Sequence, residues 1–148
     1  MIFEEELSFS VIFLYYVPIL LYLKTNELSQ LKALIGMIAT VTFTEFIKHF
    51  IVKDKSPRPK GAKDCNLWAD NGNQEGKPGM PSGHSSKVSF FAAYYFQQTE
   101  NIWIRSFLVF YAILVMISRL TKKCHTIYQV LTGSTIGILS SIFFVRYL

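Results

Sequence analysis

Five apolar runs separated by polar turns constrain this chain more than any other feature. They cover residues 7–23, 31–52, 84–98, 102–118 and 126–148. Several are shorter than the roughly 20 residues that span a bilayer as a helix. Hydrocarbon obliges a spanning segment to satisfy its backbone hydrogen bonds internally, so such runs read as helices, with Pro18 tolerable as a kink in the first. The composition agrees: 51% hydrophobic and 16% aromatic residues exceed what an ordinary soluble domain carries. The expected fold class is all-α, a polytopic membrane helical bundle of about five transmembrane helices in one domain over residues 1–148. The third run is the least hydrophobic and covers only about 22 Å at helical rise. A short, half-polar helix in such a bundle should face other helices and not lipid. Gly133 and Gly137 form a small-xxx-small pattern on the fifth run, which serves close packing.

Charge narrows the function. The formal net charge is +5, from 15 Lys and Arg against 10 Asp and Glu. These cations gather in loops between apolar runs and not along one exposed face, so they point to an anionic substrate or lipid headgroups and away from nucleic acid. The N-terminus opens Met1-Ile2-Phe3-Glu4-Glu5-Glu6, acidic where a signal peptide needs a basic start, so the first run is expected to stay in the mature protein. Cys65 and Cys124 have no metal-ligand spacing.

The long connection, residues 53–81, has no helical or strand period and should be irregular; loops of this length are usually functional. It leads into Gly79-Met80-Pro81-Ser82-Gly83-His84-Ser85-Ser86. Here Ser82 can cap the following helix, Gly83 lets backbone approach an anion, and the helix N-terminus faces that anion. His84 then stands where a proton can be transferred. Five spans put the N-terminus, the long loop and residues 119–125 on one membrane face. Arg58, His84, Arg119 and His125, distant in sequence, therefore meet at one surface. Almost no carboxylate falls where it would line a metal site, so neither metal nor cofactor is expected.

Three segments resemble the signature motifs of the type 2 phosphatidic acid phosphatase superfamily, the lipid phosphate phosphatases. The family's first motif, a lysine, six residues, then Arg-Pro, is matched by Arg58-Pro59. Its second, Pro-Ser-Gly-His, is complete as Pro81-Ser82-Gly83-His84. Its third, Ser-Arg, five residues, His, three residues, Asp, is matched by Ser118-Arg119 and His125. Two positions depart. The lysine position is Ile51, and Lys48, followed by a three-residue insertion, is the preferred substitute over Lys53 and Lys55. The motif Asp is Gln129, four residues after His125 on one helix face, whose amide oxygen can still accept the imidazole Nδ1–H. The segment 125–131 is similar to the dolichyl diphosphate phosphatase branch.

The resemblance implies a lipid phosphate phosphatase-like fold and metal-independent hydrolysis of a lipid phosphate or diphosphate. A polyprenyl or dolichyl diphosphate is favoured, and a phosphatidate-like lipid comes next. It implies His125 as the nucleophile that becomes a phosphohistidine, His84 as acid and base, and Gln129 as orienter. Arg58, Arg119, Ser82, Gly83 and Lys48 are implied phosphate ligands. Against a six-helix family core the chain is one helix short, and a homodimer is one way to cover the exposed surface. Setting aside the cations of the site, the positive-inside rule places the site on the extracytoplasmic or lumenal side, of an ER-like membrane or the cell membrane. In an oxidising lumen Cys65 and Cys124 could then form a disulfide; otherwise Cys65 is an exposed thiol and Cys124 a packed one. Two other functions remain open: a catalytically silent relative that binds lipid phosphates, and a small structural or pore-forming protein whose basic loops contact anionic lipid.

Overall fold

Helix boundaries in this chain follow from its caps. The structure, a computed structural model, describes residues 2–148; Met1, the head of the acidic N-terminal stretch, lies outside them. The α-helices among the described residues are α1 (Ile2–Ser10), α2 (Tyr16–Thr25), α3 (Leu28–Phe46), α4 (Gly83–Gln98), α5 (Ile102–Thr121) and α6 (Ile127–Tyr147). Asn101 starts α5, its side chain accepting from the Trp103 and Ile104 amides. Thr126 starts α6 through a capping box shared with Gln129. Asn26 ends α2 in the left-handed conformation, φ 58°. Pro18 lies in the first turn of α2, where a missing N–H breaks no intrahelical bond, and a 3₁₀ turn at Phe13–Tyr15 separates α2 from α1.

Four segments are long and apolar enough to cross a membrane: Phe3–Thr25, Leu28–Lys55, Ile102–Thr121 and Ile127–Tyr147. The surface agrees, with Leu23, Ile35, Phe107 and Leu139 exposed, so the protein is an integral membrane protein. The run at 84–98 is a helix as expected but differs from the other four. At 16 residues α4 is short, and residues 84–92 are all buried, packed against α3, α5 and α6. Its polar side chains bond neighbouring helices: Ser86 Oγ accepts from Thr44 at 3.0 Å, Ser89 Oγ lies 2.9 Å from Ser134 Oγ, and Tyr94 donates to the Ser29 carbonyl at 2.7 Å. Such bonds are how a half-polar helix is accommodated in a membrane bundle.

Helices α4 and α6 approach each other closely through two glycines. A Cβ on Gly133 would sit 2.3 Å from the Ser82 carbonyl oxygen, and one on Gly137 would sit 2.3 Å from that of Ser86. No larger residue fits without the helices separating. This contact fixes the start of α6, and with it His125 and Gln129, beside the start of α4.

The long connection is more ordered than its composition suggests. It doubles back on itself: the Arg58 amide donates to the Lys77 carbonyl at 2.8 Å, that of Gln74 to Ala62 at 2.9 Å, and that of Asp64 to Gly72 at 2.9 Å. Isolated bridges join Pro57 to Pro78 and Lys63 to Asn73, with no named strand among the described residues. A disulfide between Cys65 and Cys124, with Cα atoms 5.5 Å apart, ties this loop to the residue beside His125.

Candidate active site

His125 stands in the turn between α5 and α6, 3% exposed. Its Nδ1 donates to the Gly79 carbonyl at 2.9 Å and lies 3.3 Å from Gln129 Oε1. A carbonyl can only accept, so the proton is on Nδ1 and Nε2 carries the lone pair. Nε2 accepts from Arg58 Nη1 at 3.1 Å. Burial, then the charges of Arg119, Arg58 and Lys48, hold the imidazole pKa well below the ordinary histidine value, with the Gly79 hydrogen bond acting the other way. The ring is thus a neutral base with its lone pair directed among cations.

A cavity of about 410 Å³ opens over this ring, lined among others by Lys48, Arg58, Gly83, His84 and His125. The residues assigned from the three motifs come together as follows. Arg58 arrives on the folded-back loop and also donates to the Cys124 carbonyl at 3.1 Å. Burial lowers its pKa, partly offset by Glu45. His84 is 7% exposed in the first turn of α4, beside the amide end of that helix.

Of the three lysines weighed for the first motif, Lys48 is the one in the cavity wall. Its side chain is buried and paired with Glu45, whereas Lys53 and Lys55 are exposed outside the cavity lining and Ile51 is 57% exposed. The three extra residues before Arg58 have a structural cause. The chain widens from α-helix into a π-helical segment at Ile47–Val52 and then a 3₁₀ turn at Lys53–Lys55 before the loop begins. Such a π segment takes up residues without ending the helix.

Two expected phosphate ligands occupy other places. Ser82 is fully buried and is not part of the cavity wall; its Oγ caps α4, accepting from the Ser85 amide at 3.3 Å and from Ser85 Oγ at 3.0 Å. Its hydroxyl is therefore taken up by the helix start, and Gly83 alone of that pair reaches the cavity. Arg119 lies behind the wall, fully buried, donating to the Cys65 carbonyl at 2.6 Å and to Ser8 Oγ at 3.0 Å. It acts on the cavity through its charge and by fixing the loop carbonyl beside the disulfide.

Gln129 does more than orient the imidazole. Its Oε1 accepts from the Thr126 amide at 3.1 Å, and its Nε2 donates to Pro57 O at 2.9 Å, Ser56 O at 3.1 Å and Ser56 Oγ at 3.0 Å. The amide thus joins the start of α6 to the residues just before Arg58. Two members of the site carry no motif: the Gly79 carbonyl, which no side-chain pattern reveals, and Glu45, detectable only as an acid three residues before Lys48 on one helix face.

Three buried side-chain nitrogens among the described residues have no hydrogen-bond partner: Arg58 Nε, His84 Nε2 and Arg119 Nε. One comes from each motif segment. Buried polar groups are rarely left this way; Arg58 and His84 lie in the cavity wall and Arg119 behind it. Fold and cavity together define a membrane-embedded helical protein in which two histidines and an arginine line one cavity near the ends of its helices. The sequence model of the PAP2 superfamily matches residues 29–148, and the chain belongs to that family. Neither the curated proteins nor the solved structures gave a match. Family membership supports a phosphatase-type activity, broadly the hydrolysis of phosphoric esters.

Proposed function

We propose that this protein is a membrane lipid phosphatase that hydrolyses a lipid diphosphate, with a polyprenyl diphosphate preferred over a phosphatidate-like monophosphate, through a phosphohistidine. The observation that carries this reading is the set of unpartnered nitrogens on Arg58, His84 and Arg119 around a neutral His125. His125 Nε2 attacks the terminal phosphorus, forming an N–P bond as the P–O bond to the leaving group breaks. The electron pair leaves on that oxygen, and His84 supplies its proton. In the second step His84 takes a proton from water, which attacks phosphorus, breaks the N–P bond and releases phosphate. Arg58, Lys48 and the Gly83 amide receive the oxygens while Arg119 adds its positive charge from behind the wall, so no step calls on a metal.

The Cys65–Cys124 disulfide supports an extracytoplasmic or lumenal site, since such bonds persist in oxidising compartments. The occupied lone pair of His125 favours one second reading, a silent binder of lipid phosphates in which Arg58 keeps Nε2 engaged. Phosphate release by detergent-solubilised protein in EDTA, from a polyprenyl diphosphate and from phosphatidate, separates the two. Release that is lost in His125→Ala supports the enzyme. No release from folded wild type leaves the binder.

A further inference from the structure

The cavity holds a cation that none of the roles above uses. Lys87 lies in its wall, only 3% exposed. Lys48 is paired with Glu45, and Arg58 donates to the Cys124 carbonyl and His125. Lys87 has neither a hydrogen bond nor an ion pair to any described residue, and its ammonium sits 4.0 Å over the centroid of the Tyr15 ring. A ring face stabilises a cation but accepts none of its N–H bonds, so this ammonium, which opens onto the cavity, has its N–H groups free for oxygen acceptors of a cavity occupant. Three residues after His84, Lys87 shares that residue's helix face. Side chains on a helix lean toward its N-terminus, which carries the ammonium back toward His84.

We propose that Lys87 holds a second phosphate of the substrate, on the leaving-group side of His84, and so selects a diphosphate over a monophosphate. This rests on the phosphatase reading of the same cavity. When the bond between the terminal phosphorus and the bridging oxygen breaks, the electron pair departs on a lipid monophosphate. The protonated Lys87 faces that departing anion while His84 supplies the proton. A monophosphate ester leaves as a neutral alcohol and gives Lys87 nothing to pair with. A purely structural lysine would instead contribute equally with either ligand.

The test uses the solubilised full chain and two non-hydrolysable probes, farnesyl methylenediphosphonate and farnesyl phosphonate, with binding measured for wild type, Lys87→Met and Lys87→Arg. Wild type should bind the diphosphonate more tightly by about tenfold or more, as expected for one additional charge-assisted contact. Lys87→Met should lose that preference, and Lys87→Arg should keep most of it. Lys87→Gln carries the comparison should the methionine variant lose its melting transition. Equal affinity of wild type for both probes, or an unchanged preference in Lys87→Met, overturns the proposal. Phosphate release is scored separately on wild type. A diphosphonate preference without release sinks the phosphatase reading alone, and release without the preference sinks the role of Lys87 alone.

Discussion

The carbonyl oxygen of Gly79 lies 2.9 Å from Nδ1 of His125, so a backbone group 46 residues away sets the tautomer of the proposed nucleophile. A carboxylate in that place would also orient the ring and would stabilise its charged form; a carbonyl orients it with far less charge. Because the orienter is backbone, replacing Gln129 does not by itself free the ring. Replacing His125 removes the nucleophile outright. His125→Ala should lower phosphate release by about three orders of magnitude or more, with lipid-phosphonate binding largely kept. Release within about tenfold of wild type would remove His125 from the reaction.

The pH profile follows from the same surroundings. Burial, then Arg119, Arg58 and Lys48, keep the His125 pKa well below its ordinary value near 6.5. The neutral ring attacks, so the acid limb of kcat/KM should lie below about 6.5, at the lowered value, while His84, which must carry a proton to give one, sets a separate alkaline limb. Arg58→Gln removes one of those charges and should move the acid limb upward, toward the ordinary histidine value. An acid limb at or above the ordinary value in wild type would show that another group controls the step.

Gln129 is where a reversion toward the family pattern gives an informative result. Its amide nitrogen donates to the Ser56 and Pro57 carbonyls, contacts that a carboxylate cannot make. Gln129→Glu would set a buried anion against carbonyl oxygens about 3 Å away, and removal of such donors typically costs about 1–3 kcal/mol. The expected outcome is a lower melting temperature and lower activity, not a faster enzyme. A variant that is both as stable and faster would show that the amide network is dispensable.

The disulfide closes a segment of 59 residues in sequence separation and holds the loop over the cavity. Cys65→Ser should lower stability by about 2–4 kcal/mol, the usual range for such a cross-link, and expose residues 56–78 to limited proteolysis. Alkylation of both thiols in the native protein without reductant would contradict the bond.

At the α4–α6 contact, Gly137→Ala places a methyl 2.3 Å from the Ser86 carbonyl oxygen. The helices must separate, which moves His125 relative to His84. Overpacking of this kind costs about 1–3 kcal/mol. The melting temperature and phosphate release should fall together; unchanged values in both would show that the interface adapts.

Much of this protein is local and therefore readable along the chain. Apolar runs bounded by Asn26, Ser82, Asn101 and Thr126 specify helices because caps and hydrocarbon both act over a few residues. The order Arg58, His84, Arg119 and His125 places four candidate site residues near helix ends on one side of the bundle. Packing decided the rest. Lys48 enters the cavity while Ile51 stays exposed, and the π segment and 3₁₀ turn take up the extra residues before Arg58. Ser82 belongs to its helix start and Arg119 to a loop carbonyl, although both sit in motifs. Gly79 reaches His125, and Lys87 reaches the cavity beside Tyr15, through contacts between segments far apart in sequence. Residue types and spacings determine which groups are available and on which side of a helix they lie. Which of them share a hydrogen bond is settled only when helices and loop close to within ångströms, because hydrogen bonding falls off over a few tenths of that distance.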